Sequence, residues 1–200
     1  MVGGLLAGSL AVAAPALSQE ASSPWQVRVR GLVVVPDEGG SVSPIGGTVT
    51  INNSAVPELD ISYYFTDHIA AELILATAKH SVAATVGPTP LGSVWLLPPT
   101  LTLQYHFTPH QIISPYIGAG VNYTIFYNTN TPAGLNVNYD DSFGLALQAG
   151  ADYHLNDHWM LNVDLKKIFL DTSVNINSGA ITANADINPW IFGFGIGYRF

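Results

Sequence analysis

Histidines and carboxylates are the side chains here with the most evident chemical potential. Three similar stretches end on histidine: YYFTDH at 63–68, YHFTPH at 105–110 and YHLNDH at 153–158. One reading gathers His68, His110 and His158 into a metal site, which requires all three within about 2 Å of one ion. The other makes each stretch the end of a strand and the turn after it, with Asn, Asp and Pro as ordinary turn residues. Glu72 with Asp152 or Asp164 offers a carboxylate pair for acid–base work, or simply ion pairs with Arg28, Arg30, Arg199 or Lys166. The chain contains no Gly-x-Ser-x-Gly, His-Glu-x-x-His or phosphate-loop motif and no cysteine. No enzyme activity, metal or cofactor is expected.

The elements that carry these residues follow from composition and pattern. The 200 residues suit one domain, are 48% hydrophobic and only 10% charged, and carry a formal charge of −8; ordinary soluble domains are about 25% charged. The acidic balance argues against nucleic-acid binding, which needs a basic footprint. Past the N-terminus no apolar run reaches the ~20 residues of a spanning helix, so the apolar residues must be dispersed. LLAGSLAVAAPAL, followed by polar SQEASS, reads as a secretory signal peptide over 1–18, with cleavage after Ala16 or Ser18 and a mature chain over 19–200.

The final stretch WIFGFGIGYRF shows where the apolar residues go. Trp190, Phe192, Phe194, Ile196, Tyr198 and Phe200 alternate with Ile191, Gly193, Gly195, Gly197 and Arg199. A strict period of two is the mark of a strand between two environments. The same alternation recurs in seven upstream segments, there with odd-numbered residues apolar. Arg28, Arg30, Glu58, Asp60, Glu72, Asp152, Asp164, Lys166 and Arg199 all fall on the polar face. Three short turns, around His68, His110 and His158, alternate with long connections near 36–56, 80–94, 128–140 and 175–188. The pattern predicts an all-β fold: an eight-stranded antiparallel transmembrane barrel, short turns in the periplasm and long loops outside. A soluble sandwich shows the same alternation; the signal peptide, the aromatic strand ends and the even strand count favour the barrel.

In a barrel the aromatic residues before each turn form a belt at the inner interface, and the histidines sit on separate turns, too far apart for one metal. His80 falls at a loop edge and carries no signal. The polar face points inward, where opposite charges must pair. Eight residues are expected to form this charged plug: Arg28, Arg30, Glu58, Asp60, Glu72, Asp152, Asp164 and Arg199. Toward the outer half the inward residues turn apolar, with Ile74, Phe126, Ile168 and Leu170 as candidate channel lining and Lys166 marking the change.

SVWLLPPTLTLQYHF, SPYIGAGVNYTIF, FGLALQAGADYHLNDHWMLNVDLKKIFLDT and NPWIFGFGIGYRF, met in that order, resemble the OmpW family of outer-membrane proteins. The resemblance implies the outer membrane of a Gram-negative bacterium, a narrow, largely apolar channel and passive entry of small hydrophobic compounds. It also implies that Tyr198 and Phe200 form a terminal signal for the barrel-assembly machinery. Expected partners are outer-membrane lipids, that machinery and hydrophobic solutes, with a monomeric barrel and no nucleic acid. An apolar pocket closed below would release its solute sideways through the wall, helped by Pro98-Pro99, which weaken the ladder. The alternative is a structural or adhesive surface barrel whose loops bind a partner.

Overall fold

The computed structural model describes residues 23–37, 39–43, 49–84, 89–132, 136–176 and 181–200. The expected signal peptide lies outside them. Strands account for most of the described residues: β1 (Trp25–Val35), β2 (Gly39–Ser43), β3 (Val49–Ile51), β4 (Ser54–Tyr64), β5 (Ile69–Ala76), β6 (Ala78–Ala84) and β7 (Thr89–Leu97) in the first half. The second half holds β8 (Thr100–His106), β9 (Ile113–Asn130), β10 (Val137–Tyr139), β11 (Ser142–His154), β12 (Trp159–Ile176), β13 (Ile181–Asp186) and β14 (Trp190–Arg199).

Eight of them form a closed antiparallel ring: β1, β4, β5, β8, β9, β11, β12 and β14, with β14 returning to β1 through Val27↔Tyr198. Closure leaves no open edge in the ring, which is the condition for a sheet to sit in lipid. Phe143 is 78% exposed and Phe194 61%. Such residues alternate with inward-facing ones, polar along the lower parts of most staves and glycine in β14, so the outside is apolar and the lower inside polar. This inversion of a soluble fold identifies the outer surface as lipid-facing. The parity follows the sequence pattern: odd residues point outward through β12 and even ones in β14.

The remaining strands correct the sequence-based expectation of long loops. Within 36–56, 80–94, 128–140 and 175–188 the described residues largely continue as strand. They build an extracellular extension of two half-sheets, one ordered β2-β13-β12-β10 and the other β3-β6-β7-β9. Glycine, serine and threonine made these segments look like loops. Yet Ala78, His80 and Val82 keep the period of two, and their buried face gives the strand a reason to persist. Val82, Val94, Val137, Val174 and Ile176 meet across the lumen in one packed cluster that joins the half-sheets.

The repeated aromatic-to-histidine stretches acquire a structural role. Trp25 meets Tyr63 edge-on at 4.9 Å, Tyr105 meets Phe107 at 5.2 Å and Tyr198 meets Phe200 at 5.0 Å, part of an inner aromatic belt. Each of two turn histidines reaches across to the next stave. His68 stacks on Tyr105 at 5.6 Å and His158 on Tyr198 at 5.4 Å. Their Nδ1 atoms lie 2.7 Å from the His106 carbonyl and 2.8 Å from the Arg199 carbonyl. A carbonyl only accepts, so Nδ1 carries the proton in both rings. His110 departs from this pattern and pairs at 3.2 Å with exposed Asp67. The three rings are thus engaged separately, and no group of His, Asp and Glu among the described residues has metal-binding geometry.

His68→Ala should therefore lower barrel stability by about 1 kcal/mol through one lost hydrogen bond and its stacking, whereas His110→Ala should be neutral. Urea titration of the folded barrel, followed by its heat-modifiable migration, measures both. Equal effects would mean that the stacked cap contributes nothing.

Candidate functional site: an apolar chamber above a charged floor

The lower lumen is filled by ionic side chains from five staves. Arg28 and Arg30 on β1 reach into the space left by inward Gly195 and Gly197 of β14, whose faces they cover. The Arg28 guanidinium donates to Glu72 and to Asp152, both at 2.7 Å. Arg30 contacts Glu58 at 2.6 Å, Asp60 at 2.7 Å, Glu72 at 3.2 Å and Asp164 at 3.4 Å. Lys166 lies between Asp164 at 2.8 Å and Glu58 at 3.1 Å. Gln104 and Gln148 donate to the second Glu72 oxygen at 2.7 and 2.8 Å, and the Tyr116 hydroxyl donates to Asp164 at 2.8 Å. Every one of these residues is buried. An eight-stranded barrel is only wide enough to be filled by side chains, and here the filling is a continuous hydrogen-bonded block.

Arg199 does not join it. Its guanidinium lies 4.0 Å over the Tyr64 ring and its Nε is 3.5 Å from the Ser23 carbonyl. Among the described residues it has no ion-paired carboxylate, contrary to the expectation from its inward parity. The reason is height: Arg199 is opposite Gln26 at the periplasmic mouth, below the carboxylate layer.

Above the block the chemistry changes within one step along β12, from Lys166 to Ile168. Leu32, Ala146, Ile168, Leu170 and Ile191 form a buried apolar ring, with Val34, Val56 and Ala76 against it. Over them is a chamber offering about 80 Å³ to the centre of a water molecule. About 10–15 Å³ on that measure holds one water, so the space suits a small organic molecule. Ile74 and Lys166 both border its lower end, and Phe126, Ile168 and Leu170 border it as well. The cross-lumen valine and isoleucine cluster stands at its upper end; eight residues of β12 separate Lys166 from Val174, about 26 Å of strand.

The chamber also touches a break in the wall. The β5–β8 ladder ends at Ile74↔Thr100 and the β6–β7 ladder resumes at Ala78↔Leu96. Pro98 and Pro99 lie between and have no N–H to donate. Their carbonyls turn to Asn122 and Tyr123 on the other side. The gap is bridged by Thr77 Oγ1, 3.3 Å from the Leu96 carbonyl and 2.5 Å from the Tyr127 hydroxyl. Ala76, Leu96 and Pro98 line the chamber at this point.

Among the chamber residues that sequence reasoning missed is its histidine, His80. It is 5% exposed and inward-facing on β6, in a segment that reads as loop. Its even number, shared with buried Ala78 and Val82, is the signal that could have found it.

The floor yields a stability test. Glu72→Ala removes the acceptor shared by Arg28, Arg30, Gln104 and Gln148, and should cost about 3–5 kcal/mol by stranding buried charge. Lys79→Ala, at an exposed site over the Trp95 ring, should change stability by less than about 0.5 kcal/mol. Unfolding in lipid vesicles, monitored by tryptophan fluorescence, checks both values.

Comparison with known proteins agrees with this architecture. The OmpW family model matches residues 24–200. An uncharacterized outer-membrane protein, y4mB, of Sinorhizobium fredii is 49% identical over 185 residues, covering 89% of this chain and 80% of that protein. Outer membrane protein W of Vibrio cholerae is 36% identical over 182 residues, 84% of each chain. The crystal structure of the outer-membrane protein OprG from Pseudomonas aeruginosa superposes with a TM-score of 0.84 at 29% identity, covering 90% of this chain and 97% of that one. With its closed eight-stave ring, lipid-facing exterior and this match over nearly all its described length, the chain belongs to the OmpW family and is an outer-membrane protein.

Proposed function

We propose that the barrel admits small hydrophobic molecules from outside into its chamber and releases them sideways into the bilayer through the break at Thr77 and Pro98-Pro99. The observation that carries this reading is the chamber itself: apolar on its walls, stopped below by a charged block and bordering an interrupted ladder. An apolar molecule gains by leaving water for such a lining. Going further down would require it to separate buried ion pairs and leave polar groups unsatisfied, which is costly. The wall break is the route of least loss, because the bonds to be opened there are one hydroxyl bridge rather than a ladder. Ile74 and Lys166 flank the floor of the path, with Phe126, Ile168 and Leu170 as its lining. The barrel acts as a monomer, and Phe200 serves as its assembly signal; the exposed Phe200 ring and its N–H bond to the Trp25 carbonyl at the seam between β1 and β14 support that role.

Uptake of a radiolabelled apolar compound by cells with and without the protein tests the reading. Ile74→Asp should reduce uptake at least about ten-fold, because it places a carboxylate where an apolar solute must rest, while the barrel still folds. Lys79→Ala should leave uptake unchanged. Extending the β6–β7 register one step puts Thr77 opposite Leu97, and the natural chain has no cysteine. A Thr77→Cys/Leu97→Cys disulfide should block release when oxidised and restore it on reduction. Normal uptake by folded Ile74→Asp would reject the chamber as the route and favour a structural or adhesive surface role. Deleting Phe200 should lower the yield of folded barrel in the outer membrane, measured by heat-modifiable migration.

A further inference from the structure

His80 puts one polar acceptor into surroundings that are otherwise almost wholly apolar. It stands on β6 one step beyond Lys79, whose ammonium lies 5.9 Å over the Trp95 ring. Its Nδ1 is 3.0 Å from the main-chain carbonyl of Asn52. That residue is anchored in turn, since its side-chain Oδ1 accepts from the Ser81 N–H at 2.6 Å. The Asn52 carbonyl can only accept, so Nδ1 bears the proton and the neutral ring presents Nε2 as a lone pair. Nε2 has no hydrogen-bond partner among the described residues, and the ring borders the chamber beside Ala78, Val82, Val94 and Phe126. Burial lowers the pKa of His80, only partly offset by the Asn52 hydrogen bond, which keeps the ring neutral at neutral pH.

We propose that His80 is a specificity-determining residue: the chamber prefers apolar molecules that carry one neutral hydroxyl donor, alcohols and phenols, and His80 Nε2 accepts that hydrogen. The preference rests on the uptake reading above and narrows it. A hydrocarbon fits the walls but leaves Nε2 without a partner. An ether or ketone brings a second acceptor and gains nothing from the first. A carboxylate or an ammonium group carries a charge whose desolvation the apolar walls do not compensate. A hydroxyl satisfies the open Nε2 at small desolvation cost, and a site built to bond such a group discriminates against the analogue lacking it.

p-Cresol and toluene, which differ by the hydroxyl, are the probes. In cells producing the protein, His80→Leu should reduce protein-dependent p-cresol uptake about ten-fold, the value of one hydrogen bond, and leave toluene uptake unchanged or raised. His80→Gln, which restores an acceptor, should recover part of the p-cresol uptake. In parallel, the ¹⁵N resonance of His80 Nε2 in purified barrel in lipid nanodiscs should move on titration with p-cresol and not with toluene. A purely structural histidine would lower both uptakes together and show no selective shift, and that result overturns the proposal. Wild-type uptake of neither compound, with the p-cresol shift present, rejects transport and retains His80 as a recognition residue; absence of the shift rejects His80 as well.

Discussion

The buried ionic block built on Arg28 and Arg30 is the constraint on which the rest of the molecule depends. Two guanidinium groups and one ammonium are held away from water in the lower lumen, where unpaired charge is prohibitive. Glu58, Asp60, Glu72, Asp152 and Asp164 must therefore arrive from other staves at the same height. That requirement sets the stagger of the ring as firmly as the backbone ladder does. It also dictates small residues opposite: Gly193, Gly195 and Gly197 of β14 leave the volume the arginine stems occupy, and a Cβ at Gly195 would collide with the neighbouring stave. The glycine-rich inner face of the last strand and the arginines of the first are one packing solution.

Because the block fills the lower half, the chamber lies in the upper half, against the interrupted wall. The apolar ring of Leu32, Ile168, Leu170 and Ile191 begins where the last carboxylate is neutralised. The ladder can be interrupted at Pro98-Pro99 without loss of the barrel because the fully hydrogen-bonded lower staves and the extracellular half-sheets hold both sides of the gap. The ionic block and the apolar chamber thus occupy different heights of the same eight strands.

Some of this was legible in the residues, and some was hidden for identifiable reasons. The faces of Arg28, Glu72 and Lys166 followed from parity, and so did the inward direction of Ile74 and Ile168. Arg199 had the right parity but the wrong height for ion pairing, and height along the barrel depends on stagger, which no single strand reveals. The strands of the extracellular extension were hidden by glycine, serine and threonine, and His80 with them. The partners of His68 and His158 lie across the inner belt on neighbouring staves, so the repeat announced that the histidines mattered to the turns without showing what they touch.

By itself the sequence determined the strand character, the faces and the outer-membrane address, because side chains alternate along an extended backbone and the solvent each face prefers is written in its composition. The tertiary structure alone decided which charges meet, where the lumen changes from ionic to apolar and which polar atom is left open to the chamber. Those contacts join staves far apart in sequence. They depend on the radius and stagger of the closed ring, which are properties of all eight strands together.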